Sequence, residues 1–469
     1  MKFLSALLIL FLSFSSLSAF ASEPLSTLEL LKELVRIDTS NPPGNETAAA
    51  RFIQDYLKKF GIDSEIIESK PGRGNLIARL KGNGKKESLA LLGHLDVVPA
   101  DPKEWKHPPF EAVVEGDHIH GRGTLDMKGL AALEINTVAR LKLENFPLEG
   151  DVLLILTADE EAGGKEGAHF LVQNHWEKVK TPQVFSEGSI GVEREGMNLY
   201  PVQVAEKGVA WMKLTATGAS GHGSMPTKDN AVLKLIRAID RLTARPEPLE
   251  RTAVVQEFLN QLSQSMPFPQ SWVLKHFFDG PVKALAPKLA GDFLEKQKAF
   301  GAMIRNTVTP TMLQAGYKTN VIPAEATGFI DARILPGWTA ESFRKKLEER
   351  LSDPGIKIEV VMESLPNESD FRTPFFQTLK KSIQSVDPKA LVAPYMSPGA
   401  TDLRFFREKG STCYGIIPFV ASQEEIDTVH GKDERVRISE IARGEKILYN
   451  LVTSLQGGPS HESQPSTTP

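Results

Sequence analysis

The stretch Leu91-Leu92-Gly93-His94-Leu95-Asp96-Val97-Val98-Pro99 decides how the rest of the chain is read. An apolar run from Leu89 to Leu92 has the makings of a buried strand, and it delivers a histidine and an aspartate two positions apart at its end. Ligands of open α/β sheets gather outside the carboxyl ends of strands, which puts His94 and Asp96 where chemistry is usually done. Imidazole is the commonest metal ligand, and a neighbouring carboxylate can orient its ring. On this stretch alone, a structural histidine beside a hydrogen-bonded aspartate would look the same.

Outward from the stretch, helices and strands alternate. Upstream, residues 24–60 carry apolar positions at helical spacing around a loop, Thr39-Ser40-Asn41-Pro42-Pro43-Gly44, and two short strands follow at 64–68 and 75–80. Downstream, a polar loop with Trp105, Pro108 and Phe110 leads to Gly121-Arg122-Gly123-Thr124-Leu125-Asp126-Met127-Lys128-Gly129 and a helix to about Leu143. Residues 152–158 are nearly continuous in Val, Leu and Ile, as a buried parallel strand is, and run into Asp159-Glu160-Glu161. A further strand near 183–185 is read as ending in Ser186-Glu187-Gly188. The pattern predicts an α/β fold, a central sheet with helices on both faces.

Around Lys207 the pattern changes. Strands at about 209–217, 309–317, 326–334 and 357–362, with helices over 230–242 and 340–351, predict an inserted α+β domain of the ferredoxin-like sort at 207–366. It is interrupted at 250–306 by a segment holding Phe258, Trp272, Phe277, Phe278, Phe293 and Phe300. The αβ pattern resumes near Phe371, so one domain is expected from 22–206 together with 367–456. The tail 457–469, rich in Ser, Pro, Thr and Gly, reads as disordered.

The ends and the composition set further bounds. Met1-Lys2, an apolar run from Phe3 to about Phe14 and Ala19-Phe20-Ala21 have the build of a secretory signal peptide cut after Ala21. That run falls short of the roughly 20 residues a membrane span requires, and no cysteine near the cut offers a lipid anchor. No later stretch is long and apolar enough to span, so an exported chain, secreted or periplasmic, is expected. A formal charge of −4 argues against nucleic acid as the main partner. The single cysteine, Cys413, rules out an intrachain disulfide. His107, His118, His120, His169, His175 and His276 have no motif around them and read as ordinary.

Taken together, His94, Asp126, Glu160, Glu161, Glu187 and His430 are imidazoles and carboxylates at strand ends and loops, a donor set that suits Zn²⁺. They are too many for one tetrahedral ion. Two ions sharing one bridging carboxylate would use them all, and paired ions about 3.5–4 Å apart are a known hydrolytic arrangement. Taken alone, Glu160-Glu161 also fits a solvated acidic turn.

His94-Leu95-Asp96, Gly121-Arg122-Gly123 with Asp126-Met127-Lys128-Gly129, Asp159-Glu160-Glu161, Ser186-Glu187-Gly188 and His430-Gly431 resemble the successive motifs of a family of zinc metallohydrolases. That family includes aminoacylase, glutamate carboxypeptidase, carnosinase and succinyl-diaminopimelate desuccinylase, and the resemblance covers about residues 25–455 in order. It implies two Zn²⁺ per chain; sites of oxygen and nitrogen donors also accept Co²⁺ or Mn²⁺ as substitutes. His94 and Glu187 would bind one ion, Glu161 and His430 the other, and Asp126 would bridge them. Asp96 would hold the His94 ring, and Glu160 would be the general base. The inserted domain would be a lid that can form a homodimer, with His222 reaching the partner's site and Asn320 and Arg333 holding the substrate. The aromatic segment resembles the subgroup of the secreted N-fatty-acyl-amino-acid synthase/hydrolase, where it would wall an acyl pocket; a second small core or a dimer contact is the alternative.

The expected activity is hydrolysis of an amide beside a free carboxylate, in an N-acyl amino acid or, alternatively, a short peptide. A binding protein without turnover would be expected to have lost the base or a ligand, and none is missing.

Overall fold

Alternate residues of the strand Leu89–His94 go to opposite sides: Leu89 and Leu91 join one hydrophobic cluster, Ala90 and Leu92 another. A strand apolar on both sides needs helices on both, and it has them. In the computed structural model, which describes residues 23–194, 196–289 and 298–457, the helices Thr27–Arg36, Lys128–Leu143, Pro374–Val386 and Ile438–Gln456 fill one face. Ala168–Asn174, Trp176–Val179 and Leu403–Glu408 fill the other. The expected signal peptide, Phe293 and the tail beyond Gly457 lie outside the described residues.

The main sheet has nine strands and is mixed. Leu89–His94 lies between Val152–Thr157 and Gln183–Val192, parallel to both, and Thr412–Ala421 continues the parallel run beyond Gln183–Val192. Ser64–Glu68 and Gly74–Leu80 form an antiparallel margin. Register brings the chemistry to one edge: His94 pairs with Thr157, which immediately precedes Ala158-Asp159-Glu160, and Leu91 pairs with Phe185, two residues before Glu187. The helix Lys128–Leu143, buried along nearly its whole length, holds Asp126 just before its start.

One boundary differs from the sequence reading. The strand at Gln183 does not end at Glu187 but runs on to Val192, because it stays paired to Thr412–Ala421 through two register shifts. Those shifts need bare backbone: a Cβ on Gly415 would lie 1.9 Å from the Glu187 carbonyl oxygen. Glu187 therefore projects from within a strand.

A four-stranded antiparallel sheet, ordered Thr307–Ala315, Glu325–Ile334, Gly208–Thr217 and Ile356–Ser364, carries the helices Ala231–Thr243 and Ala340–Leu351 on a separate core. The alternating burial of Glu325–Ile334 reflects a sheet covered on one face. Thr339 and Ser342 form a reciprocal capping box at the start of Ala340–Leu351.

The aromatic segment does not join that core. Its helix Ala253–Ser263 packs on the strand Leu391–Ser397 of the main sheet, with the Phe258 ring 6.3 Å from that of Tyr395. Phe258, Phe277, Phe278, Met303 and Ile304 are buried members of the main cluster, whereas Phe268 and Trp272 are exposed. Phe277 and Phe278 are thus core residues rather than the open wall of a pocket. Phe277→Ala should lower unfolding stability by about 3–5 kcal/mol, as emptying a buried aromatic site does. Trp272→Ala should stay within about 0.5 kcal/mol of the parent. Urea unfolding of both variants checks this; equal, small effects would mean that Phe277 is not part of the core.

Candidate metal centre

His94 emerges from its strand buried, and Nε2 faces Asp126 Oδ1 at 3.1 Å and Glu187 Oε1 at 3.7 Å. The other Asp126 oxygen, Oδ2, lies 3.0 Å from His430 Nε2, and that nitrogen is also 3.0 Å from Glu161 Oε2. Asp126 thus stands between the two imidazoles with one oxygen toward each. Donor atoms of His94, Glu160 and Glu187 lie within 4.8 Å of one another, as do those of His94, Asp126 and Glu161. The His430 side chain is 52 % exposed, while Asp126 and Glu187 are more enclosed at 18 % and 13 %.

The electrostatics are those of crowded carboxylates. Burial, reinforced by Glu187, Asp402 and Glu161, pushes Glu160 well above the usual carboxylate range, with His94 opposing. Burial and the nearby Asp126 push Glu187 up to about 7. Burial works against a charged His94, but Glu187, Asp126 and Asp96 outweigh it and hold the ring well above its ordinary value. Hydrogen bonds donated by His430 to the Asp126 and Glu161 carboxylates raise His430 to about 10.

A metal fits this set. Zinc bonds of about 2.0–2.1 Å imply donor–donor edges of about 3.3–3.4 Å, close to the 3.0–3.7 Å separations seen between ligand atoms here. Glu161 Oε1 is buried without a hydrogen-bond partner. Four carboxylates, Asp126, Glu160, Glu161 and Glu187, share the pocket, and their charge equals that of two divalent cations.

The supports are built into the backbone. Asp96 accepts the Glu160 N–H on Oδ1 and the Glu161 N–H on Oδ2, both at 3.1 Å, and Asn41 Nδ2 donates to it at 2.8 Å. The His94 ring is nearer to the Asp96 main chain: Nδ1 lies 2.9 Å from the carbonyl oxygen and 3.5 Å from the carboxylate. Asp159, in the left-handed region at φ 68°, turns the chain into Glu160–Ala162 and is held by Arg73 at 2.9 Å. Arg73 in turn forks onto buried Glu46, both bonds at 2.8 Å.

Glu434 ties two motifs together. Its Oε1 accepts the backbone N–H groups of Leu125 and Asp126, at 2.8 and 3.1 Å, and its Oε2 that of Gly123 at 3.0 Å and the Arg122 guanidinium Nη1 at 2.7 Å. Arg122 also donates to the Gly431 carbonyl at 2.6 Å, so the loop of Asp126 is moored to the loop of His430.

The sequence from 90 to 454 matches the profile of Peptidase family M20/M25/M40. The chain belongs to that family. M20 peptidases and their aminoacylase relatives are hydrolases of amide or peptide bonds, and this chain is one of them. It is 27 % identical over 449 residues to the N-fatty-acyl-amino acid synthase/hydrolase PM20D1 of Homo sapiens, spanning 92 % of this chain and 88 % of the relative. It is 25 % identical over 446 residues to Aminoacylase-1 of Sus scrofa, spanning 93 % and 97 %. The fold matches an M20 family metallo-carboxypeptidase, Sso-CP2 from Sulfolobus solfataricus, with a TM-score of 0.69 at 20 % identity over 91 % and 98 % of the two chains.

Within this M20 chain the remaining expected residues lie apart from the cluster. His222 is exposed, its Nδ1 2.8 Å from Ser224 Oγ, on a short strand paired with Val321–Ile322; the Gly223 N–H donates to the Asn320 carbonyl at 2.8 Å. Arg333 lies in Glu325–Ile334 and forks onto Asp331 through Nε and Nη2, at 2.8 and 3.1 Å. Among the described residues, none of the three hydrogen-bonds or ion-pairs with the cluster.

Sequence reading missed Asn41, Arg73, Glu434 and Asp402. Asp402 is raised to about 7 by burial and accepts a hydrogen bond from Thr157 at 2.7 Å. Glu434 had a signal, an acidic pair four residues beyond His430. Asp402 had none, since its neighbours come from distant segments.

Proposed function

We propose that the chain is an exported, two-metal amidohydrolase that cuts N-acyl amino acids, fatty-acyl ones foremost. The observation that carries the reading is the convergence of two imidazoles and four carboxylates in one pocket, with Asp126 between the two imidazoles. His94 and Glu187 would hold one cation, His430 and Glu161 the second, and Asp126 both. Bound there, the two cations would polarise the scissile carbonyl and lower the pKa of the attacking water. Zn²⁺ suits the donors best, with Co²⁺ or Mn²⁺ as substitutes.

Glu160 is assigned as the general base: its carboxylate takes the proton from the attacking water and returns it to the leaving nitrogen as the C–N bond breaks. Asp96 keeps Glu160 and Glu161 in register by holding both their N–H groups. Arg333, engaged on its Nε and Nη2 edge, would offer Nη1 to the substrate carboxylate, with Asn320 beside it and His222 reaching across a homodimer. Exposed Leu233, Ile236, Met312, Leu313 and Tyr317 support a dimer contact on that unit. Export is inferred from the amino-terminal sequence; no described helix is long and apolar enough to cross a membrane.

The fatty-acyl preference is supported by the 27 % identity to the N-fatty-acyl-amino acid synthase/hydrolase. Glu160→Gln should retain its metal yet lose at least about 10²-fold in kcat. Metal analysis beside kinetics checks this, and loss of metal would mean that Glu160 is a ligand rather than the base.

The substrate is tested with an acyl series on one amino acid. Each added CH₂ buried should contribute about 0.8 kcal/mol, roughly a fourfold gain in kcat/KM, until the pocket is full. Preference for acetyl substrates or free dipeptides would overturn the fatty-acyl reading in favour of a carboxypeptidase or dipeptidase.

A further inference from the structure

Away from the centre just described, the hairpin Val113–Glu115 and His118–His120 gathers imidazoles that no motif groups. Glu115 and His120 share a face of the hairpin, and His107 folds over it from the preceding loop. His107 Nε2 lies 3.2 Å from Glu115 Oε2 and His120 Nε2 lies 3.9 Å from the same oxygen, with the two rings 4.8 Å apart. We propose that His107, Glu115 and His120 form an additional site for one borderline divalent cation, Zn²⁺ or Ni²⁺ in character, separate from the catalytic pocket.

Three observations carry it. Potential ligand atoms of all three residues lie within 4.8 Å of one another, and the two separations to Glu115 bracket the edge of about 3.3–3.4 Å expected around zinc. His120 is buried yet unsatisfied: Nδ1 has no hydrogen-bond partner, and Nε2 is beyond hydrogen-bond reach of Glu115. Burial, with His107, His118 and Arg435 near, lowers His120 to about 4, which keeps the ring neutral and free to donate a lone pair. His118 is not free, because its Nε2 is engaged by Glu425 at 2.8 Å. Water would complete the coordination.

One group competes. Lys106 Nζ sits 2.6 Å from Glu115 Oε2 and must swing away when the cation binds; its side chain is 61 % exposed, so it can. Arg435, paired across from His120, is anchored on Glu424 at 2.6 Å and stays.

The test counts zinc in full-length protein equilibrated over a range of free Zn²⁺. Wild type should take up one ion per chain more than His107→Ala or Glu115→Gln, changes at side chains 21 % and 53 % exposed. Lys106→Ala should bind that ion more tightly, by up to about fivefold, the worth of an exposed ion pair. Equal zinc counts in wild type and both site variants would overturn the site, as would unchanged or weaker uptake in Lys106→Ala.

Discussion

Four carboxylates packed into one largely buried pocket repel one another, and the rest of the active domain is arranged around that repulsion. Two like charges 4 Å apart cost about 4 kcal/mol at an effective dielectric of 20, and here several such pairs share a site. Burial, together with that repulsion, pushes Glu160 and Glu187 upward. A pocket of this kind is tolerable when cations belong in it. The two imidazoles, one on each side of Asp126, mark where the positive charge goes.

Holding such groups together requires anchors outside the pocket. Asp96 and Glu434 supply them in the same way: a buried carboxylate accepts consecutive or nearby backbone N–H groups and so fixes a loop rather than a single side chain. Asp96 sets the turn of Glu160 and Glu161, and Glu434 sets the approach of Asp126 to His430. Arg73, Glu46 and Asp159 extend the first anchor, and Arg122 extends the second. The sheet contributes the register that brings His94, Glu160 and Glu187 to one edge.

Much of this was legible in the residues. Apolar runs ending in His94 and Glu160 announce parallel strands with chemistry at their ends, and the change of period at Lys207 announces the inserted unit. What was not legible depends on the third dimension. Glu187 lies inside a strand because pairing with a strand over two hundred residues later continues past Gly415. Phe277 and Phe278 are apolar wherever they go, and their composition cannot say which core takes them. His107 and His120 become neighbours only after a hairpin closes, and Glu434 reaches the main chain of Leu125 from 309 residues away.

The central claim is that Asp126 lies between two cations, each with its own imidazole. Anomalous diffraction at the zinc edge from crystals of protein loaded with stoichiometric zinc tests it most directly. The account predicts two peaks in this pocket per chain, one beside His94 and Glu187, the other beside His430 and Glu161, with Asp126 between them. A single peak, or two peaks on the same side of Asp126, would contradict it.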